Sequence, residues 1–128
     1  MLGVRWWTLV GGCGVEIDEH QRAEHEHLVA ELGSVGFLLP GTISARQLRC
    51  THAGCHCHGE PPMLHGPYWY WTRKVAGKTV SMTLSAEQAE EYGELIANEH
   101  RARVLLHDLE AIGLSILESD PRTPRRRR

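Results

Sequence analysis

The chain has 128 residues, of which 41% are hydrophobic and 23% are charged. This length fits one domain with a modest core, and the composition excludes a disordered or fibrous chain. No run approaches the roughly 20 apolar residues that span a bilayer, and residues 1–14 lack the long apolar segment of a signal peptide. We therefore expect a cytoplasmic protein that does not contact the membrane.

Charge is segregated along the chain, although the net charge is only -2. Residues 40–84 carry five basic residues and one acidic residue, and residues 119–128 carry five arginines and one aspartate. The segments on either side of the basic middle are acidic. An anionic partner would therefore meet the middle of the chain or its tail.

The first elements are an extension, a helix and a short connector. Residues 1–15 are predicted to be a flexible N-terminal extension. Residues 16–33 have an apolar edge and a glutamate-rich opposite side, which predicts a helix that ends at the glycines following it. Residues 42–49 fit either a short strand or a single helical turn. A cysteine-rich knuckle follows, over residues 50–65.

A β-hairpin is the clearest predicted element. Residues 67–75 are rich in aromatic and β-branched side chains, and residues 78–84 alternate between polar and apolar. A two-residue turn at Ala76-Gly77 would pair Val75 with Lys78 and set the register. One face is then apolar and should pack on the core: Trp69, Trp71, Arg73, Val75, Val80, Met82 and Leu84. The other face is polar and meets water or a partner: Tyr70, Thr72, Lys74, Thr79, Ser81 and Thr83.

A long helix is predicted after the hairpin. Ser85 and Gln88 have the spacing of a capping box, so the helix should begin there. Apolar residues at heptad-like spacing continue it for about 25 residues, to near Gly113, with Glu99 as an interruption. A helix of this length cannot lie entirely on a two-stranded hairpin. Its second half should therefore pack on the first helix or on a second copy of the chain.

The elements together predict an α+β fold. Its order is N-terminal helix, Cys/His zinc knuckle, β-hairpin of two to three strands and long C-terminal helix, in one domain over residues 16–113. Residues 114–128 are predicted to be a disordered basic tail.

The knuckle predicts a structural metal site. Cys50, Cys55 and Cys57 lie within eight positions, and thiolates are strong ligands for zinc. Gly54 and Gly59 allow the tight loop that such a site needs. The alternatives are reduced, partly buried thiols or a disulfide between Cys50 and Cys55. We expect zinc that stabilises the fold rather than catalytic zinc, because a catalytic ion needs an open position and a nearby base.

The fourth ligand is open on the residues alone. His58 adjoins Cys57, and the side chains of adjacent residues usually point apart. His65 stands just before the first strand of the hairpin and could tie the loop to it. His52 is a third candidate.

The basic middle and the aromatic strand favour nucleic-acid binding, with DNA as the candidate partner. Lysine and arginine neutralise phosphates, aromatic rings stack on bases, and small sheets can enter the major groove. The tryptophans are more simply explained as core residues. The candidate contact residues are Arg46, Arg49, Tyr70, Thr72, Arg73, Lys74, Lys78 and Thr79.

Two other functional classes compete with nucleic-acid binding. The first is a dimeric protein–protein adaptor, in which residues 92–112 pair as a coiled coil. The second is an enzyme, which we do not expect, because the sequence shows no catalytic constellation, no phosphate-binding loop and no site for a small-molecule substrate.

Several motifs together carry a family resemblance. They are LPGTIS (39–44), RC-x4-C-x-C (49–57), LHGPYWYW (64–71), GKTVSMTLS (77–85) and ELIANEHR (94–101). The combination resembles a family of short bacterial proteins that is catalogued as a domain of unknown function, over roughly residues 16–113.

The resemblance implies a ligand set and a genetic context, but no activity. It implies that the ligands are Cys50, Cys55, Cys57 and His65, with His58 more variable, and it implies an association with mobile elements. The hairpin and its helix are also similar to the DNA-binding arm domains of tyrosine recombinases. Those domains lack a cysteine knuckle, so this similarity is an analogy of fold.

Overall fold

The computed structural model describes residues 14–124. Its elements are α1 (Glu19–Gly33), β1 (Thr42–Leu48), a 3₁₀ turn (His56–His58), β2 (His65–Val75), β3 (Lys78–Leu84) and α2 (Ala86–Ser119). This order confirms the predicted α+β fold. Most of the predicted N-terminal extension and the last four arginines lie outside the described residues.

The described residues form two compact units. One unit consists of residues 34–104, with the three strands, the knuckle and the first part of α2. The other consists of residues 14–33 and 105–124, with α1 and the last part of α2. In the part of the chain that the structure describes, neither helix contains an apolar stretch long enough to cross a membrane.

The helix α1 begins after a reciprocal cap. The backbone N–H of Gln21 donates to Asp18 Oδ1 at 2.8 Å, and the backbone N–H of Asp18 donates to Gln21 Oε1 at 3.1 Å. Asp18 is therefore the cap, which explains why the helix starts at Glu19 and not at the predicted residue 16. The side-chain amide of the buried Gln21 also donates to Ser115 Oγ at 3.1 Å, which ties α1 to the last part of α2.

The helix α2 passes Gly113, where the sequence predicted its end, and continues to Ser119. One glycine inside a helix costs only about 1 kcal/mol relative to alanine. Ile112 is buried, and it lines a cleft of about 210 Å³ together with Ile116 and Ile17. Packing of Ile112 and Ile116 against the start of α1 therefore stabilises the helix on both sides of Gly113.

The three strands form one antiparallel sheet in the order β1-β2-β3. Residues 42–48 are a strand, which settles the alternative that the sequence left open, and Thr42 pairs with Thr72. Val75 pairs with Lys78, so the predicted hairpin register is confirmed. The backbone N–H of Gln88 donates to Ser85 Oγ at 3.0 Å, and the backbone N–H of Ser85 donates to Gln88 Oε1 at 2.9 Å. These two bonds confirm the capping box that begins α2.

The apolar face of the sheet is covered only in part. Trp71 is half-buried, and it lines a cleft of about 250 Å³ with Leu84 and with Tyr92 of α2. Nearer the hairpin turn, Val80 and Met82 remain 43% and 57% exposed. The expectation that this whole face packs on the core was too broad, because a single helix and a short connector cover only part of three strands.

Gly41 allows the connector, residues 34–41 between α1 and β1, to reach the sheet. The indole N–H of Trp71 donates to Pro40 O at 2.9 Å. Gly41 has a φ of +114°, and a Cβ there would lie 2.4 Å from Thr72 O. A side chain at this position would therefore clash with the backbone of β2.

The hairpin turn places an alanine in a left-handed conformation. Ala76 has a φ of 48° and Gly77 a φ of 78°, the positive pair that tight hairpin turns of type I′ require. Glycine adopts this conformation freely, whereas alanine does so at a cost.

We predict that Ala76→Asn raises the free energy of unfolding by about 0.5–1 kcal/mol, because asparagine tolerates a positive φ better than alanine does. Urea unfolding followed by circular dichroism measures the change. Ala45→Asn, within β1, is the control and should not stabilise. An unfolding midpoint for Ala76→Asn at or below that of the parent would contradict the prediction.

Candidate functional site

The knuckle is a compact loop between β1 and β2. The backbone N–H of Cys55 donates to His52 O at 3.1 Å, and that of His58 donates to Cys55 O at 3.0 Å. A third bond, from the backbone N–H of Met63 to His56 O at 3.2 Å, returns the chain toward β2. These turns bring the cysteines to one side of the loop and bury Cys57 completely.

Four donor atoms converge inside this loop. They belong to Cys50, Cys55, Cys57 and His65, and all lie within 4.8 Å of one another. The sulfurs of Cys50 and Cys57 are 3.6 Å apart, and Cys55 Sγ lies 3.3 Å from His65 Nε2. A tetrahedral ion with metal–sulfur and metal–nitrogen bonds of about 2.3 and 2.0 Å would give edges of roughly 3.5–3.8 Å. The group can therefore bind a metal ion with little rearrangement.

The strands fix two of the four donors. Cys50 follows β1 by two residues, and His65 is the first residue of β2. Leu48, the last residue of β1, pairs with His65 across the sheet. An ion at this point would hold together the ends of two strands and the 3₁₀ turn that carries Cys57.

The thiols differ in acidity. The backbone N–H of Cys57 donates a hydrogen bond to the sulfur of Cys55, and this bond, helped by the side chains around it, lowers the pKa of Cys55 to about 6. Burial raises the pKa of Cys57. The lowered pKa of Cys55 favours the thiolate form that metals bind, while a thiolate at the buried Cys57 would need a cation beside it.

The other histidines of the knuckle have different roles. The Nε2–H of His58 donates to Cys50 O at 2.8 Å, so His58 supports the loop from outside the donor group. The ring of His56 lies 5.8 Å from that of His65, centroid to centroid. His52 is exposed. The structure therefore brings together the four residues that the family resemblance implied, and it leaves His58 and His52 outside.

The donor group is closed. Cys50, Cys55 and Cys57 are free thiols, so no disulfide joins Cys50 to Cys55. Four donors are the number that a tetrahedral structural site uses, and Glu60, the one carboxylate between the strand ends, is not among them. A centre of this type holds a loop in place and has no open position for a reacting molecule.

A family model described as "Domain of unknown function (DUF6788)" matches residues 16–93, more than half of the chain. The chain belongs to the DUF6788 family. This confirms the resemblance seen in the sequence motifs, although the match ends within α2. It spans α1, the donor group and all three strands, so these are the elements of the DUF6788 domain in this chain. No curated protein and no solved structure matched the chain in the corresponding searches.

The polar face of the DUF6788 sheet is the second candidate surface. Strand pairing gives it Thr42, Ser44, Arg46, Tyr68, Tyr70, Thr72, Lys74, Thr79, Ser81 and Thr83. Five of the eight residues predicted to contact nucleic acid lie on this face: Arg46, Tyr70, Thr72, Lys74 and Thr79. Arg73 and Lys78 lie on the opposite face, where the guanidinium of Arg73 stacks 5.3 Å from the ring of Trp71. Arg49 follows the end of β1, beside the knuckle.

Two further clefts lie along β2, and both include residues of the polar face. The first, here called the tyrosine cleft, has a volume of about 350 Å³ at the knuckle end and is lined by Leu48, Arg49, Cys50, His65, Tyr68 and Tyr70. The second, here called the cationic cleft, has about 400 Å³ near the hairpin turn. Its lining is Gly41, Thr42, Thr72, Arg73, Lys74, Thr79, Glu99, His100 and Arg103.

Tyr68, His100 and Arg103 are among the cleft residues that sequence reasoning missed. Tyr68 stands two positions before Tyr70 on the same strand, so the alternation that placed Tyr70 on the polar face could have placed Tyr68 there too. His100 and Arg103 come from α2, more than twenty residues beyond the hairpin turn. No local pattern in the sequence shows that α2 passes this end of the sheet.

We predict that His65→Ala weakens Zn²⁺ binding by more than about tenfold, since losing a ligand costs at least as much as losing a residue that supports one. His52→Ala is the matched control and should bind Zn²⁺ like the parent. Competition against a chromophoric chelator measures both affinities. Equal losses in the two variants would exclude His65 as the fourth ligand.

Proposed function

We propose that this protein is a small zinc-stabilised module that binds nucleic acid and acts as an accessory protein rather than an enzyme. The observation that carries the proposal is a sheet whose three strands contain four basic residues and no aspartate or glutamate, with four convergent Cys₃His donors at one end. The mobile-element association that the family resemblance implies is compatible with such a role.

Zinc is the metal that fits the donors best. Three thiolates and one imidazole in a closed tetrahedron are typical of structural zinc sites, whereas calcium and magnesium prefer oxygen ligands. The loop has few other means of support, because Met63 and Leu64 are 65% and 38% exposed. Binding free energy at the ion would therefore contribute directly to folding.

The polar sheet face supports a polyanionic partner. Arg46 and Lys74 supply positive charge near its two ends, and hydroxyl groups lie between them. The guanidinium of Arg46 stacks over the ring of Tyr70 at 5.3 Å, which holds both side chains along the face. Charge with interspersed hydroxyl and aromatic groups suits a sugar–phosphate backbone better than it suits an apolar protein partner.

We predict that Lys74→Gln weakens nucleic-acid binding and reduces its salt dependence, because one phosphate contact is lost. Lys78→Gln is the matched control: it removes the same charge from the opposite face of the sheet, at a residue that lines neither cleft. Fluorescence anisotropy with a labelled oligonucleotide at about 50 and 200 mM salt measures both variants. Equal effects in the two variants would exclude the polar face as the contact surface.

A protein–protein adaptor is the second candidate, and exposed leucines on α2 favour it. Leu106, Leu114 and Leu117 are 50%, 59% and 56% exposed. However, Ala102 and Leu105 are buried within the chain, so part of the predicted coiled-coil stripe over residues 92–112 is already used. A dimer through α2 would need the leucines that remain accessible.

If α2 mediates a homodimer, Leu106→Asp should convert it to a monomer, because a buried charge opposes association at an apolar interface. Multi-angle light scattering at tens of micromolar measures the mass of both proteins. Glu110→Gln, one turn further along the helix, is the control and should keep the parent mass. A monomeric parent protein at that concentration would exclude the adaptor.

A further inference from the structure

The tyrosine cleft has the shape and lining of a site for a flat aromatic ligand. Tyr68 and Tyr70 lie on the same face of β2, separated by one residue, and Tyr68 is 42% exposed. Leu48 adds an apolar wall, and Arg49 adds a cation at the rim. A volume of about 350 Å³ is within the range of clefts that hold small ligands or parts of larger ones.

Arginine beside the tyrosines gives this cleft a preference for an anionic ligand. Arg46 stacks on Tyr70 from the neighbouring strand, and Arg49 lies at the end of that strand. A ring with a phosphate attached would place the ring against a tyrosine and the phosphate against a guanidinium. Nucleotides have this combination of groups.

The cationic cleft offers a second anchor on the same molecule. Arg73, Lys74, Arg103 and His100 line it, together with the hydroxyl groups of three threonines. Its one carboxylate belongs to Glu99, which is buried and paired with Arg103. This lining fits a phosphate group.

The separation between the clefts indicates how one extended ligand could occupy both. Tyr68 and Lys74 are six residues apart on β2, which corresponds to about 20 Å of strand. Tyr70 and Thr72 lie between them on the same face. An extended chain of a few nucleotides could therefore run along β2, with a base in the first cleft and a phosphate in the second.

We infer that the ligand of this face is single-stranded nucleic acid, with an unpaired base stacked in the tyrosine cleft and the backbone following β2 to the cationic cleft. The inference rests on the proposed function and specifies its substrate. In a duplex, neighbouring bases cover the ring faces and only the base edges are reachable from the grooves. A stacking cleft therefore selects unpaired bases.

The test uses the full-length protein and two fluorescent probes, a 12-nucleotide single strand of mixed sequence and the same sequence within a DNA hairpin duplex. Anisotropy titrations at about 100 mM salt give both affinities. We expect the single strand to bind at least about tenfold more tightly than the duplex, because only its bases can stack.

Two substitutions at one position separate stacking from folding. Tyr70→Leu removes the aromatic ring but keeps an apolar side chain, and should weaken single-strand binding by about tenfold. Tyr70→Phe keeps the ring and should bind like the parent. Zinc content and circular dichroism establish that both variants are folded.

The possible outcomes distinguish the inference from the proposed function on which it rests. Duplex binding that is as tight as single-strand binding, or a Tyr70→Leu variant that binds the single strand normally, overturns the inference but leaves the proposed function standing. Failure of both probes to bind overturns the proposed function as well. Tighter binding of the single strand, lost in Tyr70→Leu and kept in Tyr70→Phe, supports both.

Discussion

Convergence of four donor atoms between β1 and β2 is the constraint on which the sheet depends. The loop that joins these strands buries only one residue completely, Cys57, and its larger apolar side chains face solvent. It therefore lacks the apolar contacts that usually fix a loop. β1 is an edge strand that pairs with β2 alone. Without the donor group, the loop would have only hydrogen bonds, such as that from His58 to Cys50 O, to hold the end of β1 beside the start of β2.

The donor group also shapes the surface that we propose for binding. Cys50 and His65 line the tyrosine cleft together with Tyr68 and Tyr70, so one wall of the cleft consists of candidate metal ligands. Stability and recognition are therefore coupled in this region. A substitution that removes one of these donors would alter the cleft even where no residue of the polar face has changed.

Sequence reasoning succeeded where the deciding interactions are local. The capping box at Ser85 and the register from Val75 follow from residues within a few positions of each other, and both were predicted. The four donors followed from clustering and from the family motif. The contribution of α2 to the cationic cleft, and the continuation of that helix beyond Gly113, depend on packing between distant segments, which a single sequence does not show. Arg73 was assigned to the binding surface by charge; alternation puts it on the other face of the sheet, although it lines the cationic cleft beside Lys74.

The segregation of charge also affects how copies of this protein behave toward one another. Every charged side chain on the strands is basic, whereas α2 carries eight acidic residues and two arginines. Each molecule therefore has positive and negative charge in separate places. Patches of opposite charge on different molecules attract one another at low salt. Near the isoelectric point of about 6.5, no net repulsion opposes this attraction. We therefore expect solubility to be lowest in dilute buffer just below neutral pH and to rise with added salt.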